Sequence, residues 1–230
     1  MIKAILFDFN GVIIDDEPLQ MKAYQSVLKS EGIELTEQNY FDSLGMDDRT
    51  FVRAAFERAK KDLPDETLAR IVEEKTAAHA GMIADELPLF PGVVNFVKMM
   101  HFHYRLGIVS MARRVEINSV LQRADLAGYF SAVVSAEDVT ACKPDKQCFD
   151  LCFRKLDEAN AAAGEFPLVR EQALVIEDSP PGVVGAKRAG MKVLGVTNTV
   201  SADELRAAGA DAVTKNLADW VPETVELVFR

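Results

Sequence analysis

The first ten residues constrain the fold of this chain more than any other stretch. Five of the six residues from Ile2 to Phe7 are apolar, with only Lys3 polar, which is typical of a strand buried on both faces of a parallel sheet. The run ends at Asp8, and Gly11 follows closely. Because open α/β sheets bind ligands at the carboxyl ends of their strands, Asp8 is a candidate nucleophile or metal ligand.

Later apolar runs alternate with segments of helical periodicity. The pattern predicts helices over 93–103, 111–123, 146–162, 182–189 and 202–208, and strands over 105–109, 131–135, 172–176, 192–196 and 210–213. Strands that alternate with helices indicate right-handed crossovers. The sequence therefore predicts an α/β fold with a doubly wound, Rossmann-like parallel sheet.

One long stretch interrupts this alternation directly after the first strand. Residues 19–83 carry apolar side chains at three- and four-residue spacing and no strand-like alternation. Prolines and a glycine within 88–92 mark the return to the alternating pattern. We predict a core of residues 1–14 and 92–230 with an inserted all-helical cap at 15–91. The acidic residues Asp15, Asp16 and Glu17 are interpreted as capping the first cap helix.

Composition limits the partners of the protein. A net charge of −10 argues against nucleic acid. No apolar run approaches the ~20 residues of a membrane span, and no signal-peptide pattern opens the chain, so we expect a cytoplasmic protein without a membrane partner. The three cysteines, Cys142, Cys148 and Cys152, are interpreted as reduced thiols. Oligomeric state is not predicted.

Polar residues at comparable places along the chain form a coherent constellation. Asp8 ends the first strand, Ser110 the second, and Glu177 with Asp178 the fourth, while Lys143 lies in the loop after the third. These strand ends share one edge of a parallel sheet. Clustered carboxylates favour Mg²⁺, and a lysine beside them suits phosphoryl transfer to a carboxylate nucleophile.

Four motifs in this order resemble those of the haloacid dehalogenase-like hydrolases, in particular the capped branch of β-phosphoglucomutase-like phosphatases. The motifs read FDFNGVIIDDEP, IVSMARR, ACKPDKQCF and VIEDSPPGVVGAKRAGM. The resemblance implies Asp8 as the nucleophile, Ser110 and Lys143 as phosphoryl ligands, and Glu177 with Asp178 at Mg²⁺. It also implies a small phosphorylated substrate. The expected substrate contacts are Gly45 and Arg49 in the cap and Met111, Ala112 and Arg113 after the second strand.

Asn10 departs from the family pattern. The family's phosphatases have a second Asp there, whose main-chain carbonyl binds Mg²⁺ and whose side chain is the general acid and base. Asn10 keeps the carbonyl, but an amide cannot exchange a proton as a carboxyl does, and loss of such a group costs roughly 10²–10⁴-fold in rate.

Three interpretations of Asn10 stay open. The protein is an attenuated phosphatase, or one acting on substrates such as acyl phosphates whose leaving group needs no proton. Alternatively, it is a non-catalytic module that binds a phosphate ligand or a protein. In the third interpretation, Asn10 is not the residue that acts at position 10 of the functional protein. Either the Asn-Gly linkage deamidates, as such linkages readily do, or the Asn is a deliberate substitution.

Other charged residues are interpreted without a chemical role. Lys22 and Lys75 are expected to be solvated helix-surface lysines rather than Schiff bases. The histidines His79, His101 and His103 are assigned no ligand role.

Overall fold

A computed structural model describes all residues, 1–230, and its centre is a six-stranded parallel sheet. The strands lie in the order β3-β2-β1-β4-β5-β6, so the first strand is flanked on both sides. Their bounds are β1 (Ala4–Phe7), β2 (Arg105–Val109), β3 (Ala132–Val134), β4 (Ala173–Glu177), β5 (Lys192–Val196) and β6 (Ala212–Thr214). The predicted α/β class with a Rossmann-like parallel sheet is confirmed.

The chain also forms ten α-helices. Four fall between β1 and β2: α1 (Glu17–Ser30), α2 (Glu37–Phe41), α3 (Asp48–Arg58) and α4 (Asp65–Met82). The others are α5 (Val93–His101), α6 (Arg114–Arg123), α7 (Gln147–Ala162), α8 (Pro180–Arg188), α9 (Ala202–Ala208) and α10 (Pro222–Val228). None of these helices combines the length and hydropathy that a membrane span requires.

The side chains of β1 alternate between two hydrophobic clusters, one on each face of the sheet. Ile5 and Phe7 pack into one cluster, and Ala4 and Leu6 into the other. Helices α1 to α4 enclose a third cluster of their own, which includes Leu28, Phe51 and Leu68. The predicted boundary between core and cap stays a prediction, although this separate cluster is consistent with it.

Two chain segments connect the helical block to the sheet, and they run side by side. The Asp15 N–H donates to the Pro88 carbonyl at 2.7 Å, and the Phe90 N–H donates to the Ile13 carbonyl at 3.3 Å. Ile14 and Leu89 form an antiparallel bridge between them. The block therefore leaves and rejoins the sheet at one place.

Helix starts differ from the predicted ones by a few residues. Helix α6 begins at Arg114 rather than at residue 111, because Ser110 to Arg113 form a turn whose last N–H donates to the Glu116 carboxylate at 3.2 Å. Helix α8 begins at Pro180, two residues early, because Ser179 caps it. Helix α10 was not predicted.

Candidate active site

Asp8 lies directly after β1 and is held by two donors. The Asp8 N–H donates to the Ile176 carbonyl, which continues the sheet hydrogen bonding past β1. Its Oδ1 accepts from the Phe9 N–H at 2.7 Å and lies 2.9 Å from Lys143 Nζ. No hydrogen bond is donated to Oδ2, so one carboxylate oxygen is fixed by the protein and the other is available to a ligand.

Lys143 and Glu177 form a buried pair behind Asp8. Lys143 Nζ lies 2.6 Å from Glu177 Oε1, and Glu177 is fully buried. The other Glu177 oxygen accepts from the N–H groups of Asp178 and Ser179 and from the Ser179 hydroxyl. Burial lowers the pKa of Lys143, but the carboxylates of Asp8 and Glu177 raise it by more, so the net shift is upward.

Asp178 completes a cluster of three carboxylates. Ligand atoms of Asp8, Glu177 and Asp178 lie within 4.8 Å of one another. The Thr199 hydroxyl donates to Asp178. Gly11, with φ +73°, lies so close that a Cβ there would approach Asp178 Oδ2 to 1.8 Å, which explains the need for glycine at this turn.

The cluster has an excess of negative charge. Burial, and then Glu177, raise the pKa of Asp8 to about 7, and burial with Asp8 and Glu177 raises the pKa of Asp178 well above its usual range. Lys143, which contacts Asp8 and Glu177, is the only cation paired with any of the three carboxylates, and Asp178 has no cationic partner. Hard oxygen donors with uncompensated negative charge fit a Mg²⁺ ion. Asp8 and Asp178 line the cavity, so they are better placed to bind the ion than Glu177, which is enclosed.

The turn after β2 faces the same cavity. The Ser110 side chain accepts from the Ala112 N–H at 3.0 Å. The N–H groups of Met111 and Asn10 donate to no acceptor within the chain. Ser110, Met111, Ala112 and Asn10 all line the cavity. Two unpaired N–H donors beside Asp8 make a suitable site for an anion.

Asn10 is hydrogen-bonded to the carboxylate of Asp16, a residue that the sequence predicts as a helix cap. Asn10 Nδ2 donates to both oxygens of Asp16, at 3.0 and 2.9 Å. The Asp16 side chain makes no capping hydrogen bond to α1; instead it is fully buried, accepts from Gln20 and lies 2.9 Å from His79 Nε2. Asp16 does occupy the predicted N-cap position of α1, with Glu17 in the first turn, but its carboxylate is hydrogen-bonded to Asn10 rather than to the N–H groups of the helix.

The helical block supplies the wall of the cavity opposite Asp8. Gly45 lies in the loop between α2 and α3 with φ +83°, and a Cβ there would lie 2.9 Å from Pro181 and 3.1 Å from Lys143 side-chain carbons. This loop therefore packs closely on the sheet domain. The wall itself comprises Glu17, Gln20, Tyr24, Tyr40, Ser43, Leu44, Gly45, Met46, Asp48, Phe51 and Lys75.

The sequence predicts Lys75 as a solvated surface lysine and assigns His79 no ligand role, and the prediction for Lys75 is wrong. Lys75 is buried, lines the cavity, and lies 2.9 Å from Asp48 and 3.2 Å from Glu116. His79 is buried beside Asp16. The signal was present in the sequence, since both residues continue the apolar stripe of α4 that includes Ile71 and Val72, and so occupy core-facing positions.

Two predicted substrate contacts lie outside the cavity. Arg49 is exposed on α3. Arg113 donates to the Thr76 hydroxyl at 3.0 Å and to the Glu73 carboxylate at 2.8 Å, which joins α6 to α4. Neither residue lines the cavity, so the geometry gives the predicted roles of Arg49 and Arg113 no support.

The chain is similar to a family model and to several proteins of known name. A family model described as haloacid dehalogenase-like hydrolase matches residues 5–196. The phosphorylated carbohydrates phosphatase of Thermotoga maritima is 30% identical over 93% of this chain and 94% of its own length. The fructose-1-phosphate phosphatase YqaB of Escherichia coli is 30% identical over 84% of this chain and 95% of its own.

Solved structures show the same fold. A β-phosphoglucomutase from Clostridium difficile superposes with a TM-score of 0.85 at 20% identity, over 100% of this chain and 97% of that one. A mutant of CbbY from Rhodobacter sphaeroides in complex with xylulose-(1,5)bisphosphate has a TM-score of 0.80 at 25% identity, over 95% of this chain and 96% of that one.

Proposed function

This chain belongs to the haloacid dehalogenase-like hydrolases, and we propose that it is a Mg²⁺-dependent phosphatase or phosphomutase that acts on a small phosphorylated carbohydrate through Asp8. The observation that carries the proposal is the environment of Asp8. One oxygen of its carboxylate is fixed by Phe9 and Lys143 while the other is free, at the base of a cavity with unpaired N–H donors.

In this proposal, an oxygen of Asp8 attacks the phosphorus atom and the bond between phosphorus and the substrate oxygen breaks, so that the alcohol leaves with a proton from water and an aspartyl phosphate remains. Water then hydrolyses the aspartyl phosphate to inorganic phosphate and free Asp8, or a hydroxyl of a second substrate molecule takes the phosphoryl group and releases Asp8. Ser110 and the N–H groups of Met111 and Asn10 hold the phosphoryl oxygens. Lys143 orients Asp8 and offsets its charge. Asp8, Asp178 and the Asn10 carbonyl, with Glu177 behind them, would hold Mg²⁺, which when bound would neutralise charge on the phosphoryl group.

The substrate class follows from the relatives. Two of them, aligned over most of both chains, are a phosphatase of phosphorylated carbohydrates and a fructose-1-phosphate phosphatase. The cavity wall of hydroxyl, amide and carboxylate groups suits a carbohydrate, whose hydroxyls both donate and accept hydrogen bonds.

Asn10 is consistent with a reduced rate on substrates with a poor leaving group. Its amide nitrogen donates to both oxygens of Asp16, and the amide cannot release a proton to a departing alkoxide. Acyl phosphates and aryl phosphates, whose leaving groups need no protonation, should be turned over relatively well.

Residues 15–91 are proposed to form the cap that carries substrate selectivity. Support comes from the separate hydrophobic cluster of α1, α3 and α4, and from the paired crossings at Ile13–Asp15 and Pro88–Phe90. The cap contributes the wall that would face the part of the substrate that is not transferred.

Steady-state assays test the proposal. Phosphate release from acetyl phosphate, p-nitrophenyl phosphate and a set of sugar phosphates is measured with Mg²⁺ and with a chelator. We expect Mg²⁺-dependent turnover that Asp8→Asn abolishes and that Asp62→Asn, an exposed control of the same chemistry, leaves unchanged. Turnover that survives Asp8→Asn would contradict the proposal.

The alternative of a non-catalytic phosphate-binding or protein-binding module rests on Asn10 alone. It predicts no Mg²⁺-dependent turnover of any of these substrates, together with retained binding of inorganic phosphate. Mg²⁺-dependent turnover abolished by Asp8→Asn would rule it out.

A further inference from the structure

The wall that the helical block presents to the cavity contains one cation, Lys75, and that cation is already neutralised. Lys75 Nζ contacts the carboxylates of Asp48 and Glu116 and lies 5.1 Å from the centre of the Tyr24 ring. The only other lysine lining the cavity, Lys143, is paired with carboxylates on the opposite side. No cation on this wall is therefore free to receive a second anionic group of a substrate.

The same wall carries two buried acceptor atoms that have no donor. Asp48 Oδ1 accepts from Tyr24 and Lys75, but Asp48 Oδ2 has no partner. Gln20 Nε2 donates to Asp16, but Gln20 Oε1 has no partner. Both residues are only 6% exposed, and both line the cavity. Buried acceptors are rarely left without a donor in folded proteins, so these two atoms are available to a donor that enters the cavity.

Glu17 adds to the negative character of this wall. It lines the cavity and accepts a hydrogen bond from the Tyr40 hydroxyl. Burial, and then Asp16, raise the pKa of Glu17 to about 7, so a further negative charge nearby would be unfavourable.

We propose that Asp48 and Gln20 determine substrate selectivity by accepting hydrogen bonds from substrate hydroxyls, and that the site favours phosphorylated polyols or sugars without a second phosphate or carboxylate. This inference rests on the proposed function, because it concerns the part of the same substrate that is not transferred. It predicts discrimination against bisphosphates, of which xylulose bisphosphate in the CbbY complex is an example.

Matched pairs of ligands test the inference directly. Glucitol 6-phosphate and 6-phosphogluconate differ only in a terminal CH₂OH against COO⁻, and glycerol 3-phosphate and 3-phosphoglycerate differ in the same way. Their dissociation constants are measured by calorimetry with Mg²⁺ and the Asp8→Asn protein, so that turnover does not interfere. Inorganic phosphate is the reference ligand, because it has no carbon skeleton and therefore no alcohol hydroxyl groups. In at least one pair we expect the alcohol to bind about 30-fold more tightly than the acid. The carboxylate of the acid would be repelled by Asp48, and no free cation on this wall offsets that repulsion.

Two further substitutions in the Asp8→Asn background distinguish a change in ligand selectivity from a general loss of ligand affinity or of folding. Asp48→Asn should reduce the ratio between alcohol and acid about tenfold, while Asp42→Asn, an exposed control in the same block, should leave it unchanged. Gln20→Met should weaken the alcohols more than it weakens inorganic phosphate. Thermal unfolding verifies that each variant is folded.

Equal affinity for alcohol and acid in both pairs, or a ratio that Asp48→Asn does not change, would overturn the inference. Failure of the proposed function would be visible separately, as the absence of p-nitrophenyl phosphate turnover by the wild-type protein. Selective binding without that turnover would support the inference and contradict the catalytic proposal.

Discussion

At the scale of single residues, the pairing of Asn10 with Asp16 changes how the departure at position 10 is understood. From the sequence, Asn10 is a missing acid and Asp16 a capping residue. In the structure, one amide donates to both oxygens of one buried carboxylate. The amide at position 10 is therefore complementary to the carboxylate of Asp16. A carboxylate at position 10 would instead repel Asp16.

The first prediction concerns Asn10→Asp. Because the new carboxylate faces Asp16 at hydrogen-bond distance, one of the two must be protonated, and we expect a lower unfolding temperature at pH 8 than for the wild type. The exchange of both residues, Asn10→Asp with Asp16→Asn, restores a donor and an acceptor. It should recover the stability and increase turnover of sugar phosphates by about 10²-fold or more, since position 10 then carries an acid.

Differential scanning fluorimetry and phosphate-release assays on the three proteins measure this prediction. If Asn10→Asp alone were as stable and as active as the double exchange, Asp16 would not be the partner that determines the residue at position 10.

The second prediction concerns the pH dependence of metal binding. The pKa of Asp8 is raised from 3.8 to about 7, and that of Asp178 is raised as well, so protons and Mg²⁺ compete for the same oxygens near neutral pH. The increase in unfolding temperature on addition of Mg²⁺ should be larger at pH 8 than at pH 6. In the absence of metal, these carboxyls should lower stability as pH rises from about 4 to about 7, because the folded state binds protons that the unfolded state has released.

Thermal unfolding across this pH range, with Mg²⁺ and with a chelator, provides the measurement, and Asp178→Asn is the informative variant. A Mg²⁺ effect that does not vary with pH, or that persists in Asp178→Asn, would argue against the carboxylate cluster as the metal site.

At the scale of elements, the loop between α2 and α3 is fixed against the sheet domain at Gly45. The residue has φ +83°, and an added Cβ would contact Pro181 and Lys143. The third prediction is that Gly45→Ala lowers the free energy of unfolding by about 1 kcal/mol and lowers kcat/KM, because this loop also lines the cavity.

Gly81→Ala is the matched control. Gly81 lies in α4, and nothing lies within 4 Å of an added Cβ there. Alanine should therefore stabilise the helix slightly and leave kcat/KM unchanged. Equal effects of the two substitutions in urea unfolding and in kinetics would contradict the role of Gly45.

Secondary structure was predictable where local chemistry determines it. The strands at 105–109 and 192–196 were predicted at their observed bounds, because an apolar run between polar residues defines a buried strand. The start of α6 was not, because Ser110 and Glu116 side chains hold a turn that no periodicity reveals. Asp8, Ser110, Lys143 and Asp178 were expected at one edge because strand topology alone brings them there.

At the scale of the whole molecule, a buried ion pair connects the helical block to the sheet domain. Lys75 of α4 contacts Glu116 of α6 across this junction, and within the block His79 lies beside Asp16. Contacts between residues 41 or more positions apart depend on how two packed units meet, which neither spacing nor composition specifies. This is why the opposite wall of the cavity, apart from Gly45, was not predicted from the sequence, while the strand-end residues were.

The fourth prediction contrasts two lysines that the sequence interpretation treated alike. Lys75→Met leaves the carboxylates of Asp48 and Glu116 buried without their shared cation, and should reduce the free energy of unfolding by about 3 kcal/mol. Lys22→Met, at an exposed position of α1, should change it by less than about 0.5 kcal/mol. Urea denaturation at pH 8 gives both values, and similar losses for the two variants would show that the buried pair does not stabilise the protein.

Rapid acid quench of a single turnover tests most directly whether Asp8 carries the phosphoryl group. Wild-type protein is mixed with acetyl phosphate and Mg²⁺, quenched, digested and analysed by mass spectrometry. We expect one phosphoryl group on the peptide that contains Asp8, formed only with Mg²⁺ and absent from Asp8→Asn. Mg²⁺-dependent phosphate release at the wild-type rate by Asp8→Asn, or phosphoryl transfer to a different residue, would contradict it.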